Sequence, residues 1–314
     1  MIEIKHISKS YGSSKAIDSL SLYIKKGEFY SLLGPNGAGK TTIINLLGGL
    51  MQADFGEIFI NGINIKSQNK SLKSQIGVIP QEIALYDDLT ARENLRFWAR
   101  VNKISANGLN SKIDEVLGFL ELSDRANQRI SQYSGGMKRR INIAAALLHE
   151  PSILFFDEPT VGIDPQSRSF IYSIFQQLHK QGKTILYTSH YLEEVEKLSD
   201  RIGIIDYGKL IVEGSFEELL QTSGIKETIN LFYKPLNENT LEILKASNLL
   251  QKSLITGGSL ETEKCIFITN NRTKDLSQLI QLFSSHEVDI HQIKIKGVDL
   301  EMVYLHFTKK DLRD

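Results

Sequence analysis

Apolar residues along this chain recur with two periods. Ile2 to Ile7 alternates apolar and polar positions, and Ala16 to Ile24 repeats the pattern before the turn at Lys26-Gly27, as half-buried strands do. Glu57 to Ile65 reads as a strand pair interrupted by Asn61-Gly62, a strong hairpin signal. Phe29–Leu33, Ile76–Ile79, Ile153–Phe156, Thr184–Thr188 and Ile202–Asp206 are short apolar runs without alternation, which predicts strands buried on both faces. Helical spacing follows at Thr42 to Leu50, over most of Ala91 to Leu122, at Met137 to His149, at Gln166 to Gln181 and at Tyr191 to Leu198. Strands alternating with helices predict an α/β fold with a mainly parallel sheet covered on both faces.

The pattern changes after Ser215 to Thr222. Strands are expected at Glu227–Tyr233, Leu254–Thr256, Cys265–Thr269 and Val288–Ile295, with helices at Glu238–Leu250 and Leu276–Phe283. That order, βαββαβ, predicts a small ferredoxin-like α+β domain, closed by a helix at Asp299–Phe307. The expected boundaries are residues 1–220 for the first domain, with a helical part at about 85–150, and 221–314 for the second.

Composition narrows the field. The chain has 314 residues, enough for two cores, and its 37 Lys+Arg balance 37 Asp+Glu. Balanced charge gives no general attraction to nucleic acid or anionic lipid. The single cysteine, Cys265, excludes an internal disulfide framework and suits the cytosol. The opening Met1-Ile-Glu-Ile-Lys-His lacks the apolar segment of a signal peptide. With no apolar run long enough to span a bilayer, any membrane role is expected to be borrowed from another polypeptide.

The candidate chemistry begins at Gly34, Pro35, Asn36, Gly37, Ala38, Gly39, Lys40, Thr41 and Thr42. The stretch fits Gly-x-x-x-x-Gly-Lys-Ser/Thr, between a buried strand and a helix. Glycines let successive backbone N–H groups converge on phosphate oxygens, Lys40 adds a mobile positive charge, and the Thr41 hydroxyl can ligate Mg²⁺. Asp157 and Glu158 close an apolar strand. At such a tip Asp157 suits a water-mediated Mg²⁺ contact, and Glu158 can polarise an attacking water as general base. His190 follows another buried strand. Alone it reads as a loop residue, but at the carboxyl edge of a parallel sheet it could donate to a terminal phosphate. Gln81 ends the strand at Ile79; its amide could reach metal or water, or simply be solvated. Ser134 is a good N-cap, and Gly135 and Gly136 bare the N–H groups of a second helix start. Lys138 to Arg140 alone would be a solvated basic face.

As an ordered set these residues resemble the ATP-binding subunit of an ABC transporter, a P-loop NTPase. Gly34–Thr42 resembles its Walker A loop, Gln81 its Q-loop glutamine and Ser134-Gly135-Gly136 its signature core. Asp157-Glu158 resembles the end of Walker B, Gly162 to Pro165 the D-loop, and His190 the switch histidine. Tyr11, between Ser10 and Gly12, resembles the aromatic that stacks on adenine. Tyr133 and Met137 stand where the commonest signature has Leu and Gln. This form, with the ending Val298 to Phe307, resembles the drug-resistance and polysaccharide export branch, although Met302 replaces an acid expected in that tail.

The resemblance implies ATP and Mg²⁺ as ligands. It implies a head-to-tail dimer in which the Ser134–Gly136 turn of one copy covers ATP held by the other. It further implies a separate multi-span membrane subunit that touches the segment Gln81 to Thr90 through Ile83, Leu85, Tyr86 or Leu89, and a peripheral position on the cytoplasmic membrane face. Trp98 is expected in the core. A solute importer's ATPase is the nearest alternative. A soluble ABC ATPase acting on ribosomes or DNA is a second, disfavoured by the single cassette and by the lack of a long insert between Thr42 and Ser134.

Overall fold

A computed structural model describes residues 1–67, 70–233, 253–256, 263–269 and 272–308. The chain divides into two compact units, one of Met1–Leu219 with Phe307 and Thr308, the other of Leu220–His306.

The first unit is built on two sheets. β1 (Ile2–Tyr11), β2 (Ser14–Ile24), β4 (Phe55–Ile60) and β5 (Ile63–Asn64) form an antiparallel sheet in the order β2-β1-β4-β5, with β4 and β5 joined at Asn61-Gly62. Among the described residues the second sheet has six strands, β10 (Lys209–Gly214), β9 (Arg201–Asp206), β3 (Phe29–Leu33), β8 (Thr184–Ser189), β7 (Ile153–Asp157) and β6 (Ile76–Ile79), in that spatial order. Every pairing among the last five is parallel; β10 alone runs antiparallel, as the return arm of a hairpin.

The unbroken apolar runs have their cause in this sheet. Phe29, Leu154, Phe156, Ile185 and Tyr187 face one core, shared with helices. Their strand neighbours Tyr30, Leu32, Ile153, Phe155 and Leu186 face another, shared with the antiparallel sheet and with Ile43, Ile44, Leu46 and Leu47 of α1 (Lys40–Leu47). With both faces dry, alternation has nothing to distinguish.

The short α2 (Lys70–Lys73) precedes β6. A helical part follows it: α3 (Ala91–Val101), α4 (Leu109–Phe119) and α5 (Gly135–Leu147). α3 starts with a capping box. Thr90 Oγ1 accepts from the Glu93 N–H at 3.2 Å, and Glu93 Oε2 accepts from the Thr90 N–H at 2.8 Å. α6 (Pro165–Lys180) starts on Asp164, whose carboxylate accepts from the Ser167 N–H at 2.9 Å, with Pro165 in the first helical position. α7 (Leu192–Leu198) and α8 (Phe216–Ser223) follow β8 and β10.

In the second unit, β11 (Glu227–Tyr233), β12 (Ser253–Thr256), β13 (Glu263–Thr269) and β14 (Ile290–Lys296) form an antiparallel sheet ordered β12-β13-β11-β14. Numbered within the unit that order is 2-3-1-4. α9 (Arg272–Ser285) packs Leu279 and Phe283 against Ile229, Leu231 and Tyr233, and α10 (Leu300–Thr308) ends the described chain. The helix expected at Glu238–Leu250 lies outside the described residues.

Parallel register puts the chemistry on one edge. Leu33 pairs with Ser189, and Asp157 with Thr188, so the loops leaving β3, β7 and β8 emerge side by side at the strands' carboxyl ends. β6, paired with β7, delivers Pro80 and Gln81 to the same edge.

Candidate active site

The loop between β3 and α1 is pressed into its surroundings. A Cβ on Gly34 would fall 2.4 Å from the carbonyl oxygen of Ile205, and one on Gly39 would fall 2.6 Å from that of Ala16, where Gly39 also has φ +108°. Neither site admits a side chain, so the loop can curl tightly enough to aim its amides inward. No side chain caps the first turn of α1, which leaves its N–H groups to a ligand.

Lys40 is buried. Its ammonium donates to the Gly34 and Pro35 carbonyls at 2.7 and 3.0 Å and pairs with Glu158 Oε1 at 2.9 Å. His190 Nδ1 donates to the other Glu158 oxygen at 2.9 Å. The carboxylate of Glu158 is therefore held at both ends, by one residue from each neighbouring loop. Glu158 itself has φ +43°, a left-handed conformation that a non-glycine residue keeps only when its surroundings enforce it. Here its N–H is caught between the Thr188 hydroxyl (3.1 Å) and the Thr188 carbonyl (3.2 Å).

Asp157 is buried at the tip of β7 and accepts from the Thr188 hydroxyl at 2.8 Å. Burial pushes its carboxyl above the ordinary aspartate range. Hydrogen bonds from Thr188 and Thr41 oppose that shift, and the neighbouring Glu158 charge adds to it. Among the described residues no three His, Cys, Asp or Glu side chains cluster as a metal site. A cation here would depend on Thr41, Asp157 and oxygens brought by the ligand.

These groups surround a cleft of about 500 Å³ lined by Ala16, Asn36, Gly37, Gly39, Lys40, Thr41, Thr42, Gln81 and Glu158. Gly34, Pro35 and Ala38 form the loop behind the lining, while Asp157 and His190 stand behind Thr41 and Glu158. Tyr11 does not line the cleft; it is half exposed, and its hydroxyl donates to Met51 Sδ at 3.3 Å. Ser134, Gly135 and Gly136 do not line it either. Ser134 caps α5 by accepting from the Met137 N–H at 3.3 Å, Gly135 faces open space, and a Cβ on Gly136 would collide with Ser167.

Three features escaped sequence reasoning. Thr188 anchors both acids; its signal was a polar residue at the end of an otherwise apolar buried strand. The N–H of Gly208, in the β9–β10 turn, donates to the Ala38 carbonyl at 3.0 Å and so props the glycine loop. Arg139 is not part of a solvated face. It is buried, and its guanidinium donates to the carbonyls of Pro80 and Gln81, because the turn of α5 that carries it packs under the Gln81 loop.

The chain is similar to known proteins in sequence and in fold. Residues 17–161 match the model of the ABC transporter family. The chain is 41% identical over 314 residues to the linearmycin resistance ATP-binding protein LnrL of Bacillus subtilis (strain 168), covering 100% of both. It is 34% identical over 313 residues to the Nod factor export ATP-binding protein I of Paraburkholderia xenovorans (strain LB400), covering 100% of this chain and 98% of that one. Among solved structures, the dimeric structure of MJ0796, a bacterial ABC transporter cassette, superposes with a TM-score of 0.63 at 30% identity, covering 68% of this chain and 98% of the other. End-to-end similarity of this strength, together with a family match spanning the glycine loop and both acids, makes the chain a member of the ABC transporter family, one of its ATP-binding, ATP-hydrolysing subunits.

Proposed function

We propose that the chain works as a pair of copies that bind Mg·ATP between them and drive a separate multi-span membrane subunit at the cytoplasmic face, in export. The observation that carries the chemistry is the linked row Lys40–Glu158–His190, with Asp157 and Thr41 beside it, at the uncapped start of α1. Full-length similarity to a resistance and an export ATP-binding protein favours export over uptake.

Lys40 and Glu158 pair directly across the cleft. A bound triphosphate would offer Lys40 a stronger, multiply charged partner, and the ammonium's turn toward the phosphates would free Glu158 Oε1 to accept a proton from water. His190 keeps hold of the other oxygen and so fixes the carboxylate's orientation. Thr41 and Asp157 supply a hydroxyl and a buried carboxylate, a hard-oxygen pair that fits Mg²⁺. Bound there with the phosphates, the metal would neutralise charge on the transferred group. Gln81 borders the same cleft and is assigned to the metal or the attacking water. Tyr11 is assigned to the adenine side. Ser134, Gly135 and Gly136, absent from this copy's cleft, are assigned to the second copy's nucleotide, which a start of α5 with no acidic residue in its first turn suits.

The membrane partner is placed on the segment after Gln81. Tyr86 is half exposed there, whereas Leu85 and Trp98 pack on the core. Among the described residues no helix is long and apolar enough to cross a membrane, so the spanning element is assigned to that partner.

The deciding experiment is Glu158→Gln. It should retain ATP binding, lower turnover by about 10²–10⁴-fold, and elute as a dimer in ATP and Mg²⁺. Lys40→Ala should lose nucleotide binding. Near-normal hydrolysis by Glu158→Gln would remove that residue from the role of base. A Glu158→Gln protein that stays a single copy at saturating Mg·ATP, with the membrane subunit supplied, would remove the paired site.

A further inference from the structure

Arg139 is 3% exposed and lies three residues beyond Gly136. Its terminal nitrogens donate to the carbonyls of Pro80 at 2.7 Å and of Gln81 at 2.5 Å. No carboxylate among the described residues pairs with it, and its Nε is buried without a partner. Burial holds its guanidinium below the ordinary arginine value, with no opposing influence. A buried charge compensated only by neutral carbonyls is expensive, and an apolar side chain of similar volume would avoid that cost but leave both carbonyls without their donors.

Its partners suggest what the residue does. The segment between Ile79 and Ala91 belongs to no strand or helix, so its backbone groups need partners from elsewhere. α5 provides them. Asn142, on the same helix and also buried, accepts from the Ala84 N–H at 3.3 Å, and Trp98 of α3 donates to the Ala84 carbonyl at 3.1 Å. The segment from Pro80 to Ala84 is thus gripped at both ends by the helical part of the unit, although its glutamine borders the cleft on the sheet side.

We propose that Arg139 is a positioning residue that makes Gln81 and the turn Ser134–Gly136 move as one piece, so that docking on the second copy's nucleotide sets Gln81 in this copy's own cleft. The inference rests on the paired-site reading above. Arg139 does not line the cleft. It acts through the backbone of Gln81, and its planar fork matches two successive carbonyls that a lysine would meet with a single ammonium. Its effect is therefore on communication between the two sites.

The test uses the full chain, with Arg139→Met and Arg139→Lys beside wild type. Affinity of the single copy is read with a fluorescent ATP analogue, steady-state hydrolysis against ATP concentration, and folding by thermal melting. Wild type should give a Hill coefficient approaching the number of sites in the pair. Arg139→Met should keep the single-copy affinity, lose about tenfold in turnover and give a hyperbolic curve. Arg139→Lys, which also serves if the methionine variant does not fold, should recover part of both. A wild-type Hill coefficient retained in the variants would overturn the clamp while leaving the paired site intact. Loss of turnover that merely follows weakened nucleotide affinity or a lowered melting temperature would also overturn it. Hyperbolic wild-type kinetics with no ATP-dependent dimer would instead overturn the paired site, and the clamp with it.

Discussion

Two buried carboxylates are treated in opposite ways. Glu194, on α7, accepts from Thr160 Oγ1 at 2.9 Å, from Ser189 Oγ at 3.2 Å and from the Tyr187 hydroxyl, tying the chain after β7 to the loop that carries His190. Burial and the Glu194 charge together push the Tyr187 phenol well above its ordinary value, so it stays a donor. Glu194→Leu strands these donors and should destabilise the protein by on the order of 3 kcal/mol in urea unfolding. A loss well under 1 kcal/mol would mean the donors find other partners. Asp157, by contrast, is destabilising as a charge. Its carboxyl is raised above the 3.8 of a free aspartate, chiefly by burial. In the window between 3.8 and its folded value the native state holds more protons than the unfolded one, so its contribution to stability falls as pH rises through that window. Asp157→Asn keeps an acceptor for Thr188 and removes the penalty. The nucleotide-free variant should therefore melt higher than wild type at pH 7, with the gap narrowing as pH falls, while Mg²⁺-dependent turnover is lost. A variant that melts lower at pH 7 would show that the Lys40 field outweighs burial.

At the level of elements, the β9–β10 hairpin decides the shape of the glycine loop. Gly208 has φ +72°, and a Cβ there would fall 2.4 Å from the Ala16 carbonyl oxygen. Gly208→Ala must push the hairpin off both β2 and the Ala38 carbonyl. Strain of about 1–3 kcal/mol should weaken ATP affinity by about tenfold, read by nucleotide titration; unchanged affinity would mean the loop holds its shape unaided. This prop was not legible in the sequence. β10 is a half-exposed edge strand that alternates Leu210 and Val212 with solvated neighbours, and nothing local says that its turn reaches back to Ala38. What was legible had local causes. Strands buried on both faces read as apolar runs. α1 starts at Lys40, two residues before its apolar periodicity begins, because the glycine loop and not a hydrophobic face sets its first turn. That Lys40 would meet Asp157 and Glu158 was readable because a glycine loop after one buried strand and an acidic tip on another both sit at the carboxyl edge of a parallel sheet. Arg139 was not, because a basic triplet at a helix start looks solvated until the carbonyls above it are known.

For the whole molecule the division into two units has a thermodynamic consequence. Among the described residues the larger unit encloses two cores around its sheets, whereas the smaller has one, built on Ile229, Leu231, Tyr233, Leu279 and Phe283. Every residue lining the nucleotide cleft belongs to Met1–Leu219. Units with separate cores are not expected to unfold as one two-state system, so calorimetry should resolve two transitions of unequal enthalpy. A ligand stabilises only the state that binds it, and ATP at about a hundred times its Kd adds about 2.7 kcal/mol. That increment should raise the larger transition and leave the smaller in place, with Lys40→Ala abolishing the shift. A single transition that moves as a whole with ATP would mean that the second unit, Leu220–His306, has no independent stability and folds only as an extension of the ATPase.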